Sequence, residues 1–380
     1  MAGIRRRQLA SGAVRWDVRY RPPGDHHQLM KSFDTERAAK SFRSQIELDI
    51  DRGEFIDPRR QETTVADWCE QWLAGKTNLA PTTRERYEGI LEVQIRPRWG
   101  RVKLKNIRHA QIQTWLADLE LSPASVRKVH RVLSQALDFA VKDGRLSSNP
   151  AAGVSLPRIK SEEKLYLTHK QVADLAKMCG PIYGVVVRFL AYTGLRWGEM
   201  AALKMKRLDF TRCRVVIAES VTPVKGVMTF GPTKGHERRE VPMPRFMVDE
   251  LRTLVAGKAP DDLVFVAAWG GVLRSQGFQR SALSAAAEAM GLDGFTPHML
   301  RHTAASLAIA SGADVKVVQT MLGHKSATMT LDLYGHLFGD RLDLVADAME
   351  SARVAALALD GKSVGPTSLD LLGRSSAESR

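Results

Sequence analysis

Cysteine is scarce in this 380-residue chain: Cys69, Cys179 and Cys213 stand far apart and form no Cys-x-x-Cys pair. That spacing argues against a disulfide framework and against a cysteine-ligated zinc site. Long apolar runs are missing as well, and none approaches the roughly 20 residues of a membrane-spanning helix. Arg5, Arg6 and Arg7 resemble the positive part of a secretion signal, but no apolar stretch follows them. A soluble protein of a reducing, cytoplasmic compartment is expected, with no membrane partner. There is no Walker-type glycine loop and no convincing carboxylate cluster, which agrees with chemistry that uses neither ATP nor metal, and no cofactor is expected.

Positive charge is what the chain has in excess. With 56 Lys+Arg against 42 Asp+Glu, its formal net charge is +14, which favours a polyanionic partner, nucleic acid or an anionic membrane surface. Residues 1–160 hold 29 basic and 19 acidic side chains, leaving +10, and the remaining 220 residues hold 27 and 23, leaving +4. Hydrophobic residues at 44% and charged residues at 26% are an ordinary globular balance. The length suggests two or three domains.

The first domain, residues 1–57, reads as a small α+β unit with a three-stranded sheet and a helix. Residues 13–20 alternate, with Val14, Trp16, Val18 and Tyr20 on one face and Arg15, Asp17 and Arg19 on the other. Arg21-Pro22-Pro23-Gly24-Asp25 supplies a turn, residues 28–33 return as a strand, and Asp34 or Thr35 caps a helix to about Asp51. Charged strand faces are usually no more than solvated. Here Arg5, Arg6, Arg7, Arg15, Arg19 and Arg21 oppose only Asp17, which favours DNA. After a linker at residues 57–60, residues 62–150 read as an all-α bundle. Its helices open at Thr64, Pro81, Gln111 and Pro123, with the tryptophans as core and with basic loops at Arg96-Pro97-Arg98 and 101–105. A third domain, 163–350, is mainly α with a small antiparallel sheet. Residues 351–380 are read as a partly disordered tail, low in complexity from Gly361.

Four stretches of the third domain carry chemistry: Thr193-Gly194-Leu195-Arg196-Trp197-Gly198-Glu199, Pro232-Thr233-Lys234-Gly235, Thr296-Pro297-His298-Met299-Leu300-Arg301-His302, and Leu322-Gly323-His324 followed by Tyr334. Each alone has an ordinary reading. Most arginines at helix starts form salt bridges, and a lone tyrosine keeps a pKa near 10 and packs. His298 and His302, four apart, have the spacing of a metal pair, but no glutamate lies between them and no third ligand is evident. Together the residues suffice for metal-free phosphodiester transesterification. Two guanidiniums clamp the phosphorane, histidines donate hydrogen bonds and move protons, a lysine protonates the departing 5′ oxygen, and a tyrosine forms the covalent intermediate.

The order Arg196, Lys234, His298-x-x-Arg301, His324, Tyr334 resembles the catalytic signature of tyrosine recombinases of the phage integrase family, and the resemblance extends over essentially the whole chain. It implies that Arg196 and Arg301 bind the scissile phosphate, that His324 hydrogen-bonds to it, and that His298 handles the tyrosine proton. It implies Lys234 as general acid, Tyr334 as nucleophile and Glu199 as an acidic support. Lys225 is the alternative lysine, but Lys234 is preferred because it sits at an expected hairpin turn, residues 233–236. The resemblance further implies an arm-type DNA-binding domain, a core-type domain and a catalytic domain. Arg96, Arg98, Lys103, Lys105, Arg127, Lys128 and Arg131 are candidate core-type DNA contacts. Double-stranded attachment-site DNA, a homotetramer on that DNA, an excisionase and a host DNA-bending protein are the implied partners, in the cytoplasm of a bacterial host. The alternatives are a type IB topoisomerase-like enzyme and a catalytically idle DNA-binding regulator of the same fold.

Overall fold

The computed structural model describes residues 2–159, 165–233, 238–338 and 342–360. They fall into two compact units, Met1–Glu162 with Pro223–Val227, and Glu163–Thr222 with Met228–Arg380. Among the described residues no helix is long and apolar enough to cross a membrane.

In the first unit, strands β1 (Gly3–Gln8), β2 (Val14–Tyr20) and β3 (Leu29–Phe33) form an antiparallel sheet in that order. Helix α1 (Glu36–Asp51) starts at Thr35, whose hydroxyl accepts the Ala38 N–H at 3.2 Å. Its Ala39, Phe42 and Ile46 pack on Val18 and Tyr20. The register corrects one grouping of arginines. Arg5 lies opposite Asp17 and Arg7 opposite Arg15, but Arg6 lies opposite Trp16, on the face that carries the apolar side chains. Asp17, 1% exposed, is held at 2.9 Å by Arg7 Nε and at 2.5 Å by the Ser32 hydroxyl, so the basic face has a buried anion at its centre.

Four further helices follow: α2 (Val65–Ala74), α3 (Pro81–Ile90), which runs through a π turn (Leu91–Ile95) into the short α4 (Arg96–Trp99), and α5 (His109–Ala117). The longest, α6 (Pro123–Lys142), closes the bundle over Trp68, Trp72, Trp99 and Trp115, all buried. Arg96-Pro97-Arg98, expected in a loop, is instead helical, with Pro97, which lacks a backbone N–H, just after the π turn.

The second unit begins with α7 (His169–Met178), whose capping box joins Thr168 and Gln171. The apolar α8 (Gly180–Thr193) and the short α9 (Trp197–Ala201) follow. Strands β4 (Leu208–Asp209), β5 (Arg214–Ile217), β6 (Glu219–Val224), β7 (Val227–Pro232) and β8 (Arg239–Pro242) form two sheets, β4-β5-β8 and β6-β7. This corrects the expected pairing across residues 233–236. Strand β7 pairs with β6 around Lys225 (φ 47°) and Gly226 (φ 81°), a two-residue turn with both φ positive. Strand β8 pairs instead with β5, which sets Arg239 opposite Ile217. Lys234 lies outside the described residues.

Helices α10 (Phe246–Leu254), α11 (Ser275–Phe278) and α12 (Ser284–Glu288) complete the scaffold, and α13 (Pro297–Ala310), α14 (Val315–Leu322) and α15 (Ala327–Tyr334) carry the remaining motif residues. A last helix, α16 (Leu342–Asp360), runs without a break across the expected boundary between residues 350 and 351. The three cysteines are free thiols, and burial pushes Cys69 up to about 12 and Cys179 up to about 11.

Candidate active site

Two left-handed glycine turns build the centre of the second unit. Gly194 ends α8 with φ 66°, and a Cβ there would stand 2.7 Å from Leu322 Cδ2 and 3.2 Å from Ala304 Cβ. Gly323 ends α14 with φ 63°, and a Cβ there would meet the Arg239 guanidinium at 3.0 Å. Only glycine takes both the backbone angle and the close approach.

The carbonyls at these turns hold the arginines. Arg301, 3% exposed on α13, donates from Nη1 to Gly194 O and from Nη2 to Leu322 O, both at 2.6 Å. Arg196 donates from Nη2 to Gly323 O at 3.1 Å and from Nη1 to Glu199 Oε1 at 2.9 Å. The Glu199 carboxylate also accepts the Arg196 backbone N–H at 3.0 Å, which fixes the start of α9. On its other side it takes a forked pair of bonds from Arg239, at 3.0 and 2.6 Å. Arg239 Nε reaches Met321 O at 3.3 Å.

Three guanidiniums thus act on one another around one carboxylate. Burial alone would raise Glu199, but the hydrogen bond and charge of Arg239, with those of Arg196, outweigh it and hold the carboxyl below its usual range. Burial, and then the charge of Arg196, lower Arg301 to about 9, so it stays cationic at neutral pH. The surplus of positive charge suits a dianionic centre of phosphorane type.

Burial and nearby charge favour the neutral forms of His298 and His324. Burial, then Arg301 and Arg196, lower His298. The same causes, with smaller contributions from His302 and Arg239, lower His324 to about 4. His324 Nδ1 lies 3.0 Å from the Thr330 hydroxyl, and its ring is parallel to Tyr334 at 6.4 Å. Tyr334 is 1% exposed at the end of α15, and burial pushes its phenol up to about 12. A cavity of about 480 Å³ opens beside these groups, lined by Leu195, Trp197, Arg280, His298 and Arg301 among others.

Of the motif residues, Arg196, Glu199, His298, Arg301, His324 and Tyr334 come together here. Two neighbours join them that the catalytic signature does not contain. Arg239 is one, and no spacing rule marks it. His302 was noticed only as half of a metal pair, yet its Nδ1 lies 2.7 Å from the Tyr334 hydroxyl. Among the described residues no three His, Cys, Asp or Glu side chains gather as a metal-holding group.

The candidate DNA contacts differ in how they are engaged. Arg7 pairs with Asp17 and Arg15 with Asp34. Arg96 pairs with Glu70 and Glu92, Lys103 and Lys105 share Glu62, and Arg127 donates to Pro157 O. Arg98 lies over the Trp99 ring. Arg5, Arg6, Arg21, Lys128 and Arg131 are exposed, and Arg19 is half-buried.

Comparison with known proteins identifies the family. The sequence matches the Phage integrase family over residues 165–340 and the phage integrase N-terminal SAM-like domain over residues 64–119, together more than half of the chain. It is 28% identical to tyrosine recombinase XerC of Anoxybacillus flavithermus, over 64% of this chain and 82% of that protein. To the integrase of Mycobacterium phage D29 it is 25% identical, over 79% and 84% respectively. Among solved structures, the Tn1549 transposon integrase in complex with transposon right end DNA superposes with a TM-score of 0.65, at 20% identity over 77% of this chain and all of that one. A lambda integrase tetramer bound to a Holliday junction superposes with a TM-score of 0.54, at 20% identity over 85% and 96%. The family-model matches, with the recombinase and integrase relatives, mean that the chain belongs to the phage integrase family, the tyrosine-type site-specific recombinases.

Proposed function

We propose that this recombinase integrates a mobile DNA element, of phage or prophage type, through a 3′-phosphotyrosine formed on Tyr334. Arg196 and Arg301 clamp the scissile phosphate and His324 donates a hydrogen bond to it. As the Tyr334 Oη–P bond forms, its phenolic proton passes to a histidine of α13, the P–O5′ bond breaks and Lys234 gives the 5′ oxygen its proton. The 5′ hydroxyl of a partner strand then attacks the phosphotyrosine and returns a proton to Lys234, while the histidine returns its proton to the departing tyrosine. Each phosphodiester is exchanged for another ester of similar energy, so strand exchange needs no external energy source. The observation that carries this reading is the convergence of Arg196, Arg239 and Arg301 around Glu199 beside the buried Tyr334.

The division of labour follows the same reading. Residues 1–57 bind arm-type sites, with Arg5, Arg19 and Arg21 as contacts, and 62–150 grip the core site, with Lys128 and Arg131 exposed on α6. Residues 163–350 catalyse. Four protomers assemble on two attachment sites in the bacterial cytoplasm, and an excisionase with a DNA-bending host protein sets direction. The likeness to the phage D29 integrase over 79% of the chain supports integration. An N-terminal domain ahead of the SAM-like match supports a second class of DNA site.

Trapping the chain on DNA fragments that carry host–element junctions, then sequencing the attachment point, tests the activity. Tyr334→Phe is expected to bind the same fragments and form no denaturation-resistant adduct. An adduct in that variant would overturn the assignment of the nucleophile. Plasmid relaxation without recombination would favour the topoisomerase-like alternative, and binding without cleavage by the unaltered chain the idle regulator.

A further inference from the structure

The proton on the Tyr334 hydroxyl has to leave when the oxygen bonds to phosphorus, and the family resemblance assigned that proton to His298. The geometry is different. His298 and His302 stand one turn apart on α13, their rings in edge-to-face contact at 4.9 Å. His298 lines the cavity with Arg301, whereas His302 Nδ1 is 2.7 Å from Tyr334 Oη. From this contact we infer that His302 is the general base for Tyr334, a catalytic role distinct from that of His298. The inference rests on Tyr334 being the nucleophile.

In this role the contact has one direction: the tyrosine donates and the Nδ1 lone pair of neutral His302 accepts. His302 is then the tautomer with its proton on Nε2. In cleavage the Oη–P bond forms, the P–O5′ bond breaks, the phenolic proton passes to His302 and Lys234 protonates the 5′ oxygen. In rejoining, the incoming 5′ hydroxyl gives its proton to Lys234, the P–Oη bond breaks, and His302 returns its proton to the departing tyrosine. Every proton is accounted for within the pair of steps.

The surroundings fit a base at this position. Burial pushes Tyr334 up to about 12, so a phenolate is scarce at neutral pH and an acceptor in contact with the oxygen is needed. His324, parallel to the tyrosine, already has Nδ1 at the Thr330 hydroxyl. The charged and titratable groups facing the pair are His298 from α13 itself, His324 from the turn after α14, Arg301, whose charge acts on Tyr334, and Tyr166 from the segment before α7. Tyr166 in turn lies 3.3 Å from His336 Nε2. Arg301 beside the tyrosine favours its ionised form, in the same direction as proton transfer to His302.

The test uses the full chain and a nicked duplex built on the mapped cleavage point, with single-turnover adduct formation followed from about pH 6 to pH 10. The unaltered chain is expected to reach a rate plateau within this range. His302→Phe keeps the ring volume without the acceptor. It is expected to slow adduct formation at pH 7 by about 10²-fold or more, with a rate that climbs about tenfold per pH unit as hydroxide replaces the base. His302→Asn, which keeps a hydrogen-bonding atom near Nδ1 but no base, is expected to show the same climb and serves if the phenylalanine variant does not fold. A pH-independent loss would mean a packing role and would overturn the inference. So would an unaltered rate in both His302 variants, or the pH signature appearing in His298→Phe. An adduct in Tyr334→Phe would instead bring down the nucleophile assignment, and so separates the two failures.

Discussion

Glu199 is buried to the last few per cent and touches two arginines, which makes it the residue with most to lose. Its carboxyl titrates below the ordinary range in the folded chain. The stability it contributes is therefore complete above the unfolded carboxylate value and is lost as pH falls through the depressed folded one. Glu199→Gln leaves Arg239 and Arg196 without a counter-charge. It is expected to cost about 3–5 kcal/mol at pH 7, the usual penalty for breaking a buried pair. Urea unfolding from about pH 7 down to pH 3 checks this: the unaltered chain should lose its advantage over the variant below about pH 4.5. A constant gap across that range would show that the carboxyl is not held ionised. At this scale the chain was legible where function imposes an order along the sequence, as from Arg196 through His298 and Arg301 to His324 and Tyr334. Arg239 and His302 were not legible as site residues. One is placed by a strand register and the other by a single helical turn, and neither leaves a mark in spacing.

Helix ends and turns set the site more than the helices do. Gly194 joins α8 to α9 and lets the chain pass between Leu322 and Ala304. Gly194→Ala adds a left-handed strain of about 1–2 kcal/mol to crowding of about 1–3 kcal/mol. Gly291 has a similar φ, 68°, with open space around it, so Gly291→Ala measures the strain alone. A clearly larger fall in unfolding free energy for Gly194→Ala is expected, and equal losses would mean that Leu322 and Ala304 move aside. The helices themselves were readable, because Thr35, Thr64 and Thr168 cap them and apolar residues recur at helical spacing. The strands of the second unit were readable only in part. Residues 227–232 suit a partner on either side, since Gly226 and Gly235 both offer turns. That β8 joins β5, some 25 residues earlier, is a long-range choice made by the core around Val215, Ile217 and Val241. Arg6 illustrates the same limit: a run of three arginines cannot all share one face of a strand.

For the molecule as a whole, the uneven charge has a measurable outcome. The first 160 residues carry +10 and the rest +4, but many of those cations are already engaged with Asp17, Asp34, Glu62, Glu70 or Glu92. The salt dependence of DNA binding should therefore report fewer phosphates than the count of basic residues suggests, at a log–log slope of about −0.9 per phosphate contact. Binding of the full chain, of one lacking residues 1–57 and of a fragment starting at 161 should give successively shallower slopes on attachment-site DNA. The first truncation should lose arm-site affinity and keep core cleavage. Equal slopes for the first and last would refute the proposed division of labour.

The main-chain hold on Arg196 and Arg301 has an entropic consequence. A free arginine side chain has about 2 kcal/mol of rotamer entropy to lose when it is fixed. Here Gly194, Leu322 and Gly323 fix both guanidiniums through peptide carbonyls. That ordering belongs to folding. Under the proposed function, the site would meet a phosphodiester as a rigid receptor, and binding energy from the rest of the duplex would be left for bending and aligning the strands.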